Sequence, residues 1–356
     1  MHFCCIRAIP GPPQVVCIPS RGLLFALPLL AAEPEQNQAM VYNFPMQNAR
    51  QVASTIFAIG ALLAVALLAQ SQEQSAAPPK PLAHFHHLHL NATDPKAAID
   101  FYTSHFDCEK AKFAGVVDAV WAQKSWILFG KVNQPPPSDI LSALYHFGWG
   151  AEDMKATYQK QVEMGTKFST PITDISETTG RGKPGAFYYS YVEGPDKAMI
   201  ELNTSSNHNF GHIHMLSADP IATSEWYIKE FGLTPRGPAP VRTAKPYIFN
   251  NIQLSPSASL MMDNVNFIFF PIEFAQTLMP DLWKGRTSFE SPKGRVMDHF
   301  GFGVDNLDET LARLRADGVK VTEEPRSVLG GKVKFAFIEG PDNVRIELVE
   351  GQATKQ

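Results

Sequence analysis

The chain has 356 residues, 44% hydrophobic and 19% charged, a length that suggests two domains plus further sequence and a composition that excludes wholesale disorder or collagen-like repeats. Its 31 basic and 35 acidic residues give a net charge of -4 without a long run of either sign, so a polyanion-binding surface, and with it a nucleic-acid partner, has no support. Histidine is the unusual component: ten of the eleven fall from His84 to His299, most of them in short clusters.

In chain order, residues 46–77 place Arg50 before an apolar run from Val52 to Ala69, followed by small residues. That is the layout of a secretory signal peptide. A run of about 18 residues also sits at the lower limit for a retained membrane anchor. Either reading places the globular part outside the cytoplasm, in the periplasm or secreted. A charged n-region belongs near a true N-terminus, so residues 1–45 read as a doubtful extension, with translation expected to start at Met40 or Met46. Cys4, Cys5 and Cys17 lie in that extension and leave Cys108 alone. No intrachain disulfide and no thiolate metal cluster is expected in the folded part. Residues 78–83 form a proline-containing linker.

From residue 84 the chain repeats. His87-Leu-His-Leu-Asn-Ala-Thr-Asp94-Pro95 matches His212-Ile-His-Met-Leu-Ser-Ala-Asp219-Pro220, His146-Phe-Gly-Trp-Gly matches His299-Phe-Gly-Phe-Gly, and the Glu-Gly-Pro-Asp stretch at 193–196 matches that at 339–342. Residues 84–205 and 208–351 are therefore two copies of one module, with an insertion near residues 271–296 in the second. Each module reads as two halves of strand, helix and about three strands. Asp94-Pro95 and Asp219-Pro220 supply an N-cap and a first helical residue. Leu307, Leu311 and Leu314 mark a helix that starts after Asp305 or Asn306 and stops at Gly318. The fold class is α+β.

Side chains alternate across a strand, so parity assigns faces. Leu88 and Leu90, or Ile213 and Met215, belong under the helices. His87 and His89, or His212 and His214, then share the opposite, concave face. By the same rule His146 lies with Gly148 and Gly150, and His299 with Gly301 and Gly303; such glycines leave room for a ligand or a close backbone approach. Glu201 and Glu347 face away from the core neighbours Ile200/Leu202 and Ile346/Leu348. A carboxylate there needs solvent, a partner or a metal. Two imidazoles and one carboxylate per module make a ligand set for a divalent first-row metal with open positions. His84 and His86 read as residues of the surface or of the cavity mouth, His86 because its parity is wrong.

The segments HLHLNATDPKAAIDFY, HIHMLSADPIATSEWY, DHFGFGVDNLDETLARL and EGPDNVRIELVEG resemble the vicinal oxygen chelate superfamily of glyoxalase I, bleomycin- and fosfomycin-resistance proteins and extradiol dioxygenases. The resemblance covers about residues 84–350. It implies four βαβββ units paired into two half-barrels, with His87, His146, Glu201, His212, His299 and Glu347 as metal ligands. The ion would be Fe(II), Mn(II), Zn(II) or Ni(II), and the partner a small substrate chelating it through neighbouring oxygens. Glyoxalase I adds a carboxylate from the last strand of its first unit, whereas SWILFGK (125–131) and NFIFFPIE (266–273) place aromatic and aliphatic residues there. Three ligands lean toward dioxygenase-like chemistry, although the dioxygenase signature around the final strand is incomplete. A glyoxalase-like lyase or isomerase, and a non-catalytic binding protein of the bleomycin-resistance type, are the alternatives.

His89 and His214, on the ligand face, are candidate acid/base groups, and Tyr191 or Tyr189 a candidate donor to a substrate oxygen. Lys284, Arg286, Lys293 and Arg295 are candidates to attract an anionic substrate. Spacing leaves the pairing of half-modules open. Self-closed modules would give 87/146/201 and 212/299/347, and exchanged halves would join His87 to His299 and Glu347. The oligomeric state is open as well, and no membrane contact is expected beyond a possible N-terminal anchor.

Overall fold

The computed structural model describes residues 81–249 and 251–353. The extension at 1–45, the signal segment at 46–77 and the first part of the 78–83 linker lie outside the described residues. Four units follow in chain order. The first holds β1 (His84–Ala92), α1 (Pro95–His105), β2 (Glu109–Phe113), β3 (Val117–Ala122) and β4 (Ser125–Lys131). The second holds β5 (Leu144–Ala151), α2 (Met154–Glu163), β6 (Phe168–Asp174), β7 (Tyr188–Glu193) and β8 (Met199–Thr204). In the third are β9 (Phe210–Ser217), α3 (Pro220–Phe231), β10 (Thr234–Pro235), the small hairpin β11 (Tyr247–Phe249) and β12 (Ile252–Leu254), then β13 (Ala258–Met262) and β14 (Val265–Pro271). The segment read as an insertion is a connection with short helices α4 (Ile272–Leu278) and α5 (Pro280–Trp283). The fourth unit is β15 (Met297–Gly303), α6 (Leu307–Ala316), β16 (Val321–Val328), β17 (Val333–Glu339) and β18 (Arg345–Glu350).

Local chemistry starts and stops the helices. The Asp94 carboxylate accepts from the Ala97 amide at 3.0 Å, Asp219 from Ile221 and Ala222, and the Asn306 side chain from Glu309 at 3.1 Å, which supplies partners to first-turn amides that no helical carbonyl can reach. Beyond the end of α6, Gly318 takes φ +81°, a left-handed conformation that suits glycine.

The halves exchange. In the first sheet the strand order is β16-β17-β18-β15-β1-β4-β3-β2, and in the second β10-β13-β14-β9-β5-β8-β7-β6. The first unit therefore pairs with the fourth, and the second with the third, across antiparallel seams β1·β15 and β5·β9. Neither sheet closes into a barrel. Sequence neighbours stay joined through the core instead: Tyr102 of α1 packs on Phe147 and Trp149 of β5, and Tyr227 of α3 on Phe300 and Phe302 of β15. Leu88, Phe147, Ile213, Phe300, Leu311 and Ile346 are all fully buried in one continuous core, each such side chain contributing about 1.5–3 kcal/mol by leaving water.

The repeated Glu-Gly-Pro-Asp turn proves to be a tie between units. Asp196, at φ +52°, accepts from the Thr93 amide at 3.0 Å and its hydroxyl at 2.7 Å; Asp342, at φ +60°, accepts from the Ala218 amide and the Thr223 hydroxyl. Each turn thus fastens to the strand-to-helix junction of the unit before it.

Both seams carry β-bulges, and these break the parity rule. The pairing Phe85↔Phe302 followed by His87↔Gly301 gives β1 one extra residue at His86, and His89↔His299 followed by Leu90↔Met297 gives β15 one at Asp298. In the second sheet the corresponding extra residues are Gly211 and Tyr145. A bulged residue is released from strict alternation. His86 is accordingly buried, 1% exposed, beside His87, which corrects the expectation of a surface or mouth position. His84 is exposed and pairs with Asp263 at 3.0 Å.

Candidate metal centres

Exchange of halves assembles two mixed centres, one on each sheet. In the first, His87 and His89 come from β1, His299 from the neighbouring β15 and Glu347 from β18. Glu347 Oε2 lies 2.8 Å from His299 Nε2 and 3.4 Å from His87 Nε2, and one nitrogen each of His87, His89 and His299 lie within 4.8 Å of one another. In the second, His212 and His214 come from β9, His146 from β5 and Glu201 from β8. Glu201 Oε2 lies 2.8 Å from His146 Nε2, and its Oε1 3.9 Å from His212 Nε2. Ligand atoms of His146, Glu201 and His212 likewise fall within 4.8 Å of one another.

The glycines opposite the histidines have a definite job. A Cβ on Gly301 would lie 2.2 Å from His87 Cε1, and one on Gly148 2.4 Å from His212 Cε1. Each glycine makes room for the imidazole of its cross-seam partner.

Burial sets the charge state of most of these rings. Desolvation pushes His146 down to about 3 and His212 to about 4, and holds His87, His89 and His214 below the ordinary histidine range. They are neutral at physiological pH and keep lone pairs for ligation. His299 is the exception: burial works against its charged form, but hydrogen bonds to Asp298 and Glu347 outweigh that and raise it. Burial disfavours the Glu347 carboxylate, yet His299 and His87 hold it well below the usual range.

The donor sets fit a metal cation. His87 Nε2 and His212 Nε2 are buried and find no hydrogen-bond partner among the described residues, while each faces a carboxylate oxygen. An imidazole lone pair and a carboxylate oxygen directed at one space repel unless a proton or a cation lies between them. Nitrogen and oxygen donors of this kind suit a divalent first-row metal without singling one out. Among the described residues no second carboxylate joins either centre as a fourth ligand from the neighbouring strand: the strand beside β1 sets Trp126 against His87 and Leu128 against His89, and the strand beside β9 sets Asn266 against His212 and Ile268 against His214.

The surroundings of the two centres differ. Behind the first, Asp298 Oδ1 lies 2.6 Å from His299 Nδ1 and accepts from Arg345, whose guanidinium stacks 3.5 Å above the Phe337 ring. Arg345 also reaches Glu323 at 2.9 Å, and His89 stacks on His299 with ring centres 4.5 Å apart. Around the second, aromatic residues take over. Tyr191 lies 5.0 Å from His146 between ring centres, its hydroxyl 3.5 Å from that of Tyr145, and burial holds Tyr191 well above its ordinary range and pushes Tyr145 up to about 12. Tyr189 packs on Tyr191. His214 Nδ1 is 3.1 Å from His146 Nε2, and its Nε2 has no hydrogen-bond partner among the described residues.

All three residues expected to handle protons or substrate, His89, His214 and Tyr191, thus stand at the centres. Three of the four cations expected to attract an anion are paired with carboxylates: Arg295 with Asp139 and Glu290, Arg286 with Glu290 and Lys293 with Glu323. Cations near a centre come from elsewhere. Arg181, 4.1 Å over the Phe187 ring, and Arg236 both act electrostatically around the second centre, Arg181 on Glu201 and Arg236 on His212. Parity could not single out His86, Asp298 or Tyr145, because each sits in a bulge; Arg345 shares a face with Glu347 and was visible by alternation.

The profile of the Glyoxalase/Bleomycin resistance protein/Dioxygenase superfamily matches residues 84–202 and 209–348. Among curated proteins, a probable lactoylglutathione lyase of Arabidopsis thaliana is 43% identical over 63 residues, 18% of this chain and 18% of its own length. Lactoylglutathione lyase of Haemophilus influenzae is 40% identical over 62 residues, 17% of this chain and 46% of its own. The matches therefore span from under a fifth to just under half of those relatives. Among solved structures, glyoxalase I from Zea mays superposes with a TM-score of 0.55 at 15% identity, covering 76% of this chain and 93% of that one, a likeness of fold. With its profile matched over both modules, the chain belongs to the glyoxalase/bleomycin resistance protein/dioxygenase superfamily.

Proposed function

We propose that the protein is a metal-dependent lyase or isomerase of the glyoxalase I kind, acting on a small substrate with two neighbouring oxygens. The observation that carries this reading is the convergence of the buried side chains of His146, His212 and Glu201, and of His87, His299 and Glu347, with His87 Nε2 and His212 Nε2 left without a hydrogen-bond partner among the described residues. The named relatives, lactoylglutathione lyases, favour lyase or isomerase chemistry over the dioxygenase-like chemistry to which ligand count alone leaned.

When bound, a divalent ion would supply Lewis acidity to the two substrate oxygens, lowering the cost of negative charge on them. The chain's own residues handle the proton and the geometry. Neutral His214, whose Nε2 finds no hydrogen-bond partner among the described residues, takes a proton from the carbon that bears the hydroxyl and returns it to the neighbouring carbonyl carbon, while the hydroxyl proton passes to the former carbonyl oxygen, so the isomerisation balances without an external redox partner. The buried, protonated Tyr191 hydroxyl donates to a substrate oxygen. Arg181 and Arg236 bias the second centre toward an anionic substrate, such as the adduct of glutathione with a 2-oxoaldehyde. His89 is the counterpart of His214 in the first centre, closed in by its stack on His299.

Metal analysis of the purified chain, together with the Glu201→Ala and Glu347→Ala double variant, tests the centres. The double variant is expected to lose its stoichiometric metal, and unchanged metal content refutes the assignment. Formation of a thioester from glutathione and a 2-oxoaldehyde tests the chemistry. A second reading, dioxygen-dependent ring cleavage, draws on the three-residue donor sets. Oxygen uptake with catechols and Fe(II), without thioester formation, would favour it instead.

A further inference from the structure

We propose that His86 is a positioning residue that fixes the tautomer of the metal ligand His87, through a relay that ends on the backbone carbonyl of Gly351. The inference rests on the reading of the first centre as a metal site. His86 Nε2 lies 3.2 Å from Gly351 O, and its Nδ1 lies 2.9 Å from His87 Nδ1. A carbonyl oxygen can only accept. His86 therefore carries its proton on Nε2, and its Nδ1 is a lone pair. That lone pair accepts from His87, which places the His87 proton on Nδ1 and leaves Nε2 bare. His87 Nε2 is the atom that faces Glu347 Oε2 at 3.4 Å without a hydrogen-bond partner among the described residues. The opposite tautomer would point an N–H into the space where a ligand lone pair is required.

The relay is braced on every side. The bulge at His86 turns its ring onto the face of His87, at 86° to it, where it also meets the Phe113 ring edge-on. Trp126, which stands against His87 on the adjoining strand, donates to Gln352 O at 2.9 Å, so the two residues together hold the turn that presents the Gly351 carbonyl. Gly351 itself has φ +102°, a conformation that glycine tolerates and other residues rarely adopt. The second centre lacks this device, since Gly211 occupies the bulge that corresponds to His86. Hydrogen bonds from beyond the ligand shell that orient a metal-binding imidazole are worth about 10–100-fold in metal affinity.

Two measurements on the full chain test this. Long-range nitrogen–proton NMR correlations of histidine-labelled, metal-free protein report each ring's tautomer directly. The expected pattern is Nε2–H for His86 and Nδ1–H for His87, whereas an Nε2–H tautomer at His87 overturns the proposal. Co(II) titration in a Glu201→Ala background then reads the first centre by its visible absorption. His86→Leu, which removes the acceptor, is expected to weaken Co(II) binding by about tenfold or more, and His86→Asn, whose amide oxygen can replace Nδ1, to restore most of it. Equal affinity in the parent and His86→Leu, or no difference between Leu and Asn, overturns the relay. A parent that binds no Co(II) would instead remove the metal reading, and the tautomer measurement would still decide the relay.

Discussion

The two centres carry the same His, His and Glu on equivalent strands, and nearly everything behind those residues differs. The first backs its imidazoles with polar partners: His86 behind His87, and Asp298 behind His299 with Arg345 and Glu323 beyond it. In the second, Gly211 and Tyr145 fill the same two bulges, and the Nδ1 of His146 finds no hydrogen-bond partner among the described residues. Tyr145 and Tyr191 pack on His146, and Phe270 packs on His214. A ligand set held by fixed hydrogen bonds is preorganised for an ion, whereas one held by rings is looser around the ion and better suited to enclosing a small organic substrate. The ligands alone do not reveal this division, because it lies one layer behind them.

The strongest way to break the comparison is to fill one seam at a time. Gly301→Ala drives a methyl into the His87 ring and Gly148→Ala one into the His212 ring. Each should abolish metal at its own centre alone and cost about 1–3 kcal/mol of stability from overpacking, as read by metal content and urea denaturation. Equal metal loss at both centres from either variant would mean that the sheets are coupled more tightly than their separate seams suggest.

Next in size are the carboxylates taken singly. Glu347→Ala should leave one metal per chain in the second centre, and Glu201→Ala one in the first. Metal retained by Glu201→Ala should dissociate more slowly than that retained by Glu347→Ala, as measured by transfer to a chromophoric chelator. The reverse order would contradict the preorganisation argument.

A smaller effect separates the layers behind the ligands. Asp298→Asn leaves the ligands in place but weakens the acceptor for His299 and Arg345, and should reduce metal affinity of the first centre by about tenfold. Tyr145→Phe, at the equivalent position of the second, should leave metal affinity unchanged within error. Removing the interunit ties compares the sheets by stability instead. Asp196→Ala leaves the Thr93 amide and hydroxyl without their partner and should cost about 1–3 kcal/mol, and Asp342→Ala the same or less, its two contacts being longer at 3.1 and 3.3 Å.

Much of the site could be read by alternation. Leu88, Leu90, Ile213 and Met215 are buried under the helices, and the imidazoles of His87, His212, His146 and His299 gather on the opposite faces, as strand periodicity implies. The rule failed where a strand gains a residue. His86, Asp298, Gly211 and Tyr145 each occupy a bulge, and a bulge depends on how two strands meet across a seam rather than on either strand by itself. The role of the Glu-Gly-Pro-Asp turns was hidden for a related reason. Their repetition was plain, but their partners, Thr93 and Thr223, lie more than a hundred residues away.

The sequence by itself determined the repeat, the α+β class, the family and the six residues that converge on the two centres, because each is written in short motifs whose strand faces and helix caps are set by neighbours along the chain. It could not determine which half-module meets which. A histidine on β1 finds a glycine opposite it whether its partner strand is β5 or β15, since both carry the same His-x-Gly pattern. Only the tertiary structure decided in favour of exchange. There the helices of one module pack across its two halves, Tyr102 on Trp149 and Tyr227 on Phe302, and the sheets are left to pair between modules. Burial of those aromatic faces is a long-range property of the whole chain, and through it His87 comes to share a centre with Glu347.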